Sequence, residues 1–99
     1  MSRPVKNRRV CGNPRTDYFK PRGIPLAKLK EVNLTLDEME AVRLADFQRL
    51  YQQKAAAKMH ISRQTFGNII KSAHFKIADA LLNGKALEIK GGFIQKGSL

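Results

Sequence analysis

The sequence predicts a mainly α fold: a three-helix core behind an extended basic N-terminal arm, with room for a small two-stranded β element. Three observations predict it. Phe66, Ile69, Ile70, Ala73, Ile77, Ala80 and Leu81 recur at helical spacing and form a continuous apolar stripe. Thr35 stands three residues before Glu38, at the head of a second apolar repeat, which is the pattern of a capping box. All four prolines (Pro4, Pro14, Pro21, Pro25) fall in the first 25 residues, where no period is sustained, so that stretch reads as an arm. A chain of 99 residues supports a single folded domain. It divides into a basic, proline-rich arm over 1–34, a helical domain over 35–84, and a C-terminal strand and tail over 85–99.

The elements follow in order. Glu31-Val32-Asn33-Leu34 alternates and predicts a short strand. The first helix starts after Thr35, with Asp37, Glu38 and Glu40 suited to the positive end of its dipole. Leu36, Met39 and Val42 form its apolar side, and it ends near Asp46. A second helix runs from Gln52 to Lys58, with Ala55, Ala56 and Met59 turned inward and Tyr51 a weak cap. His60-Ile61-Ser62 connects it to the third helix, for which Ser62 is a good N-cap. That helix stops at Asn83-Gly84, a pair suited to a left-handed cap. Ala86 to Lys90 alternates again, and this strand can pair with Val32-Asn33-Leu34.

The charge is one-sided. Nineteen Lys and Arg stand against eight Asp and Glu, a net of +11. Residues 1–34 carry a surplus of seven positive charges and residues 51–99 a surplus of six, while residues 35–50 are net negative by two. Such an excess calls for a polyanion, most simply nucleic acid. No apolar run reaches the roughly 18 residues of a membrane span, and the basic N-terminus leads into no apolar stretch, so neither membrane nor secretion is expected. One cysteine cannot form an internal disulfide, so nothing points to an oxidising compartment and a cytoplasmic protein is expected.

Two helices joined by a short turn, the second with a polar outer face, describe a helix-turn-helix. Small Ala56 sits where the helices approach most closely, Ile61 plugs the turn, and Phe66 and Ile69 anchor the third helix. At about 100° per residue, Arg63, Gln64, Gly67, Asn68 and Lys71 fall within about 140° of one another. Arg63 and Gln64 lie at the helix N-terminus, the part that enters the major groove in this motif. Arg reads guanine bidentately, and Gln or Asn reads adenine, so Arg63, Gln64, Gly67 and Asn68 are the expected base readers. Lys54, Lys58, Ser62, Thr65 and Lys71 are expected on phosphates, with Arg3, Lys6, Arg8 and Arg9 of the arm on phosphates or in the minor groove. Gly67 has two readings: a bare backbone that lets the helix approach the groove, or a tolerated weak spot in a helix.

Leu34-Thr35-Leu36-Asp37-Glu38, Arg43-Leu44-Ala45-Asp46, Ala55-Ala56, Met59, Ile61 to Gly67 and Asn83 to Leu87 together resemble a family of small, uncharacterised prokaryotic proteins. Arg3-Pro4, Arg8 to Cys11, Tyr18 to Pro21 and Gly23 to Leu26 match it as well, so the resemblance covers residues 3–92. The resemblance implies DNA binding through a helix-turn-helix similar to region 4 of sigma-70 factors. The chain departs from the family in three places. Tyr51, Gln53 and Lys54 replace a cap and acidic residues, which leaves the second helix more basic and favours phosphate contact. Some members carry further cysteines near the position of Cys11, whereas a lone thiol cannot close a cysteine-based zinc site. His60 and His74 are too distant in sequence to complete one, so no metal and no cofactor is expected. His60 also stands where the turn usually has glycine, a position histidine tolerates at some strain.

The expected function is therefore a DNA-binding transcriptional regulator with double-stranded DNA as its partner. An RNA-binding or RNA-polymerase-associated adaptor is the alternative, although the aromatic residues form no stacking platform. An enzyme is not expected: no paired carboxylates, phosphate-cradling glycine loop or nucleophile–base set is present, and no residue is assigned a catalytic role. A homodimer is also expected, because Phe75 lies outside the core stripe; the same residue could instead cover the arm near Tyr18 and Phe19. Leu87 and Ile89 offer a second contact through strand pairing.

Overall fold

The computed structural model describes residues 6–97. The helices stand where local signals place them. α1 (Leu36–Val42) opens on a closed capping box: Thr35 N donates to Glu38 Oε1 at 2.9 Å, and Glu38 N donates to Thr35 Oγ1 at 3.4 Å. It continues into a π-helical turn over Arg43–Phe47, after which the chain reverses with Arg49 at φ 58°. α2 (Gln52–Lys58) starts at Tyr51 with no side-chain cap. Between α2 and α3 (Arg63–Asn83), His60 adopts φ 58° and Ile61 N donates to Ala56 O at 3.1 Å, which turns the chain tightly. Ser62 Oγ accepts from Thr65 N to cap α3, and Gly84 ends it in the left-handed region at φ 63°.

These helices pack around Phe66, which is fully buried among Ala41, Leu44, Ala55, Ala56, Met59, Ile69 and Ile70, with Ile61 against the edge. Alanine at 55 and 56 brings the backbones close, and Phe66 fills the space between. Its truncation to alanine would cost about 3–5 kcal/mol. A second cluster holds Leu34, Ala73 and Ile89, flanked by Leu36, Met39, Ile77 and Leu87. Val42 touches both clusters and joins them into one core.

The fold is mixed α/β with two small sheets, which corrects the mainly α expectation. β3 (Glu31–Leu34) and β4 (Ala86–Ile89) pair as expected, in parallel, with Val32 opposite Leu87. The three helices between them supply the crossover that parallel pairing requires. The free edge of β4 takes β2 (Tyr18–Phe19) antiparallel, so these aromatics are not isolated in an arm. β1 (Arg8–Val10) pairs in parallel with β5 (Ile94–Lys96), and Arg9 N donates to Met59 O at 3.0 Å. The arm is thus bound to the helical core through β1. Strands of two and three residues are too short to show alternation, which is why the sequence hides them. A further correction concerns Leu81, which is 76% exposed. It lies on the flank of the buried stripe, where no neighbouring element covers it.

Candidate nucleic-acid interface

α3 buries Phe66, Ile69, Ile70, Ala73 and Ala80 and turns the opposite side outward. On its first half that outward side carries Arg63, Gln64, Asn68 and Lys71, all exposed. None of the four side chains has a hydrogen-bond or ion-pair partner among the described residues. Gly67 is half-buried on the same side, with Gln52 of α2 beside it. Lys54 and Lys58 are exposed on α2. The Ser62 and Thr65 hydroxyls are both engaged in the cap, Ser62 Oγ donating to Thr65 Oγ1 at 2.9 Å. They hold the start of the helix in place rather than standing free.

The segment that forms this face carries no acid of its own, although Asn68 lines a cavity with Asp37 and Glu38 of α1. No Asp or Glu occurs between Asp46 and Asp79. Most of the chain's acids are absorbed within the fold instead. Glu38 accepts from Lys76 Nζ at 2.7 Å and from the Ser72 hydroxyl. Burial pushes its carboxyl up, but these bonds and those from Thr35 hold it below its ordinary value. Glu40 accepts from Arg43 Nε and Nη2 at 2.6 and 2.8 Å, and from the Cys11 and Gly12 backbone N–H groups at 2.8 and 3.1 Å. Here too burial raises the carboxyl, and the Arg43 bonds followed by the backbone donors depress it overall. Asp79 is depressed by Asn83 and Lys85, Asp46 meets His74 at 2.7 Å, and Glu88 meets Lys90 at 3.0 Å.

The arm residues separate. Lys6 is exposed and Arg3 lies outside the described residues. Arg8 is half-buried: it is 3.6 Å from buried Asp37, with its guanidinium 5.7 Å from the Phe93 ring centre. Arg8, expected on phosphates or in the minor groove, thus lies beside an internal carboxylate. Arg9 is half-buried and lines, with Lys58, Arg43 and Cys11, a cavity of about 290 Å³ beside α2. The structure therefore brings Lys54, Lys58, Arg63, Gln64, Asn68 and Lys71 onto adjoining helices and puts β1 against the α2–α3 connection. Gln52, beside Gly67, carries no local sequence signal for that placement, whereas the Arg43–Glu40 pair that lines the cavity is legible from its three-residue spacing. No helix among the described residues is long and apolar enough to cross a membrane, and no group of three or more His, Cys, Asp or Glu is placed to hold a metal.

The model of the family described as protein of unknown function DUF134 matches residues 1–96. The chain belongs to that family. Relatives named UPF0251 protein include one from Prosthecochloris aestuarii, 54% identical over 95% of this chain and 61% of its own length. The chain thus spans about three-fifths of that relative. Another, from Desulfosudis oleivorans, is 52% identical over 93% of this chain and 67% of its own length. A third, from Caldanaerobacter subterraneus, is 54% identical over 93% of this chain and 78% of its own length. No solved structure matches the chain.

Proposed function

We propose that this protein binds double-stranded DNA and regulates transcription, with α2 and α3 acting as a helix-turn-helix similar to sigma-70 region 4. In this reading the start of α3 enters the major groove. Arg63 reads guanine, and Gln64 and Asn68 read adenine edges. Lys54, Lys58 and Lys71 hold phosphates, joined by Lys6 and Arg3 from the arm. One observation carries the proposal: four exposed polar side chains on one helix face have no partner among the described residues, within a stretch free of acid from residue 47 to 78. Cations and amides left unpaired together suit an anionic, hydrogen-bonding surface better than bulk water alone.

Selection of binding sites from random duplexes tests this directly. A defined site is expected, and Arg63→Ala or Gln64→Ala should lose discrimination worth about 1–3 kcal/mol per base contact. Lys54→Ala and Lys71→Ala should weaken all sequences alike. If structured RNA displaces the duplex in competition, the protein is an RNA binder instead. If Arg63→Ala changes neither affinity nor preference, α3 is not the reader.

A further inference from the structure

The cavity of about 290 Å³ beside α2 brings together three parts of the chain. Arg9 and Cys11 come from β1 and the residue after it, Glu40, Arg43 and Gln48 from α1 and its π-helical continuation, and Lys58 from α2. Three cations and one acid therefore line it. The acid is fully bonded. Buried Glu40 accepts Arg43 Nε at 2.6 Å and the Gly12 N–H at 3.1 Å on Oε1, and Arg43 Nη2 and the Cys11 N–H, each at 2.8 Å, on Oε2. Four donors fill the acceptor sites of a carboxylate, so Glu40 fixes Arg43 in place and has nothing left for the other cations. The pair is closely enclosed. A Cβ at Gly12 would stand 2.6 Å from Arg43 Nε and 2.8 Å from Glu40 Oε1, so glycine is what lets the backbone reach it.

What remains around the cavity is donor capacity. Arg43 Nη1, the Lys58 ammonium and the Gln48 carboxamide have no partner among the described residues, and Arg9 adds its charge to the same wall. We infer that this cavity binds one phosphate group, with Arg43, Lys58 and Gln48 as its donors. A guanidinium held rigid on one edge presents the planar fork that matches an oxyanion, and an ammonium adds a point charge. Like charges gathered around one concave space repel, and an anion between them relieves that repulsion. The volume sets the size of the guest. It lies below the ~300–1,000 Å³ of pockets that bury whole small-molecule ligands, so it suits a single tetrahedral group rather than a complete nucleotide.

Such a group has two sources: a free phosphate, or a backbone phosphate of a nucleic acid. Only the second rests on the DNA reading, in which Lys58 already holds a phosphate and the cavity adds Arg43 and Gln48 beside it.

NMR titration of the full chain with inorganic phosphate, at constant ionic strength in potassium chloride, tests the site without DNA. The Cys11 and Gly12 amides and the Arg43 Nε–H, all bonded to Glu40, should shift together and saturate, with a dissociation constant of about 1–10 mM. Lys28, Lys30 and Lys85 line a different cavity at the far end of α3 and should not follow that curve. Gln48→Ala with Lys58→Ala alters two exposed side chains, so it should leave thermal unfolding in place and weaken phosphate about tenfold. Shifts that never saturate, that appear equally at Lys28, Lys30 and Lys85, or that persist unchanged in the double variant overturn the assignment. A short duplex of mixed sequence separates the sources. Mutual exclusion of duplex and inorganic phosphate assigns the cavity to a backbone phosphate, and simultaneous binding assigns it to a free one; either result keeps a phosphate in the cavity. Failure to bind any duplex with the phosphate shifts intact would remove the proposed function and leave this site standing.

Discussion

Gly67 stands in the interior of a 21-residue helix, where glycine costs about 1 kcal/mol relative to alanine. A Cβ there would meet only Gln52 Oε1, at an ordinary 3.6 Å, so nothing inside the fold requires glycine. Gly67→Ala is therefore expected to stabilise the protein by about 0.5–1 kcal/mol and raise the unfolding midpoint by roughly 3–6 °C. If the bare backbone approaches a groove, the same substitution weakens duplex binding. Thermal unfolding and duplex titration of one variant read both effects, and unchanged affinity would assign Gly67 to a tolerated weak spot. Arg8 shows the limit of reading residues one at a time. In sequence it is one more cation in a basic arm beside Lys6 and Arg9. Its partner Asp37 lies 29 residues away and is buried, and no local pattern announces that contact. Arg8→Ala leaves Asp37 buried without its cation, so a loss of about 1–3 kcal/mol in stability is expected, measured by urea unfolding. The face of α3 was legible because its residues are neighbours on one helix; the fate of Arg8 was not, because it depends on how the chain folds back.

Among the elements, α1 shows how a local signal can be right and incomplete. Its acidic start suits the helix dipole and its capping box is closed, both readable over four residues. Burial of Asp37, Glu38 and Glu40 was not readable, since their partners Arg8, Lys76, Ser72, Cys11 and Gly12 are distant in sequence. The same contrast divides the rest of the fold: the three helices carry their own periods and caps, whereas β1, β2 and β5 exist only because β4 and one another offer edges. The buried acids set a pH dependence. Glu38 and Glu40 are held below their ordinary value of 4.5 in the folded chain. Stability from a depressed carboxyl is fully present above its unfolded value and lost as pH falls through the folded one. The urea midpoint should therefore hold near neutrality and decline below pH 4.5. Glu40→Gln leaves Arg43 without its carboxylate and should cost about 3 kcal/mol at neutral pH while flattening the acid decline. An acid profile identical to that of the unsubstituted chain would place the titrating groups elsewhere. At the α2–α3 turn, His60→Gly removes a side chain from φ 58° and should raise the midpoint by a few degrees, equivalent to about 0.5–1 kcal/mol.

Over the whole molecule, the net charge of +11 does not act as one patch. Lys54, Lys58 and Lys71 lie on α2 and the first half of α3, and Lys6 precedes the β1 strand packed against the α2–α3 connection. Lys28, Lys30 and Lys85 gather instead around Asn83 and Gly84, at the other end of α3. Along α3 the second group stands about 30 Å from the helix start and about 18 Å from Lys71. That is well beyond the roughly 8–10 Å over which exposed charges act in physiological salt. If α3 holds a duplex as proposed, the first group neutralises it and the second does not. Each phosphate contact contributes about 0.9 to the slope of log affinity against log salt. Lys6, Lys54, Lys58 and Lys71, with Arg3 added, predict a slope of about −4.5. Lys54→Ala with Lys58→Ala should make it shallower by about 2, whereas Lys28→Ala with Lys30→Ala should leave it unchanged. Duplex titrations from low to moderate salt on the two double variants decide between a local and a distributed charge effect. Equal flattening in both would mean that the polyanion is held at both ends of α3, and the reading face could not then be confined to its first half.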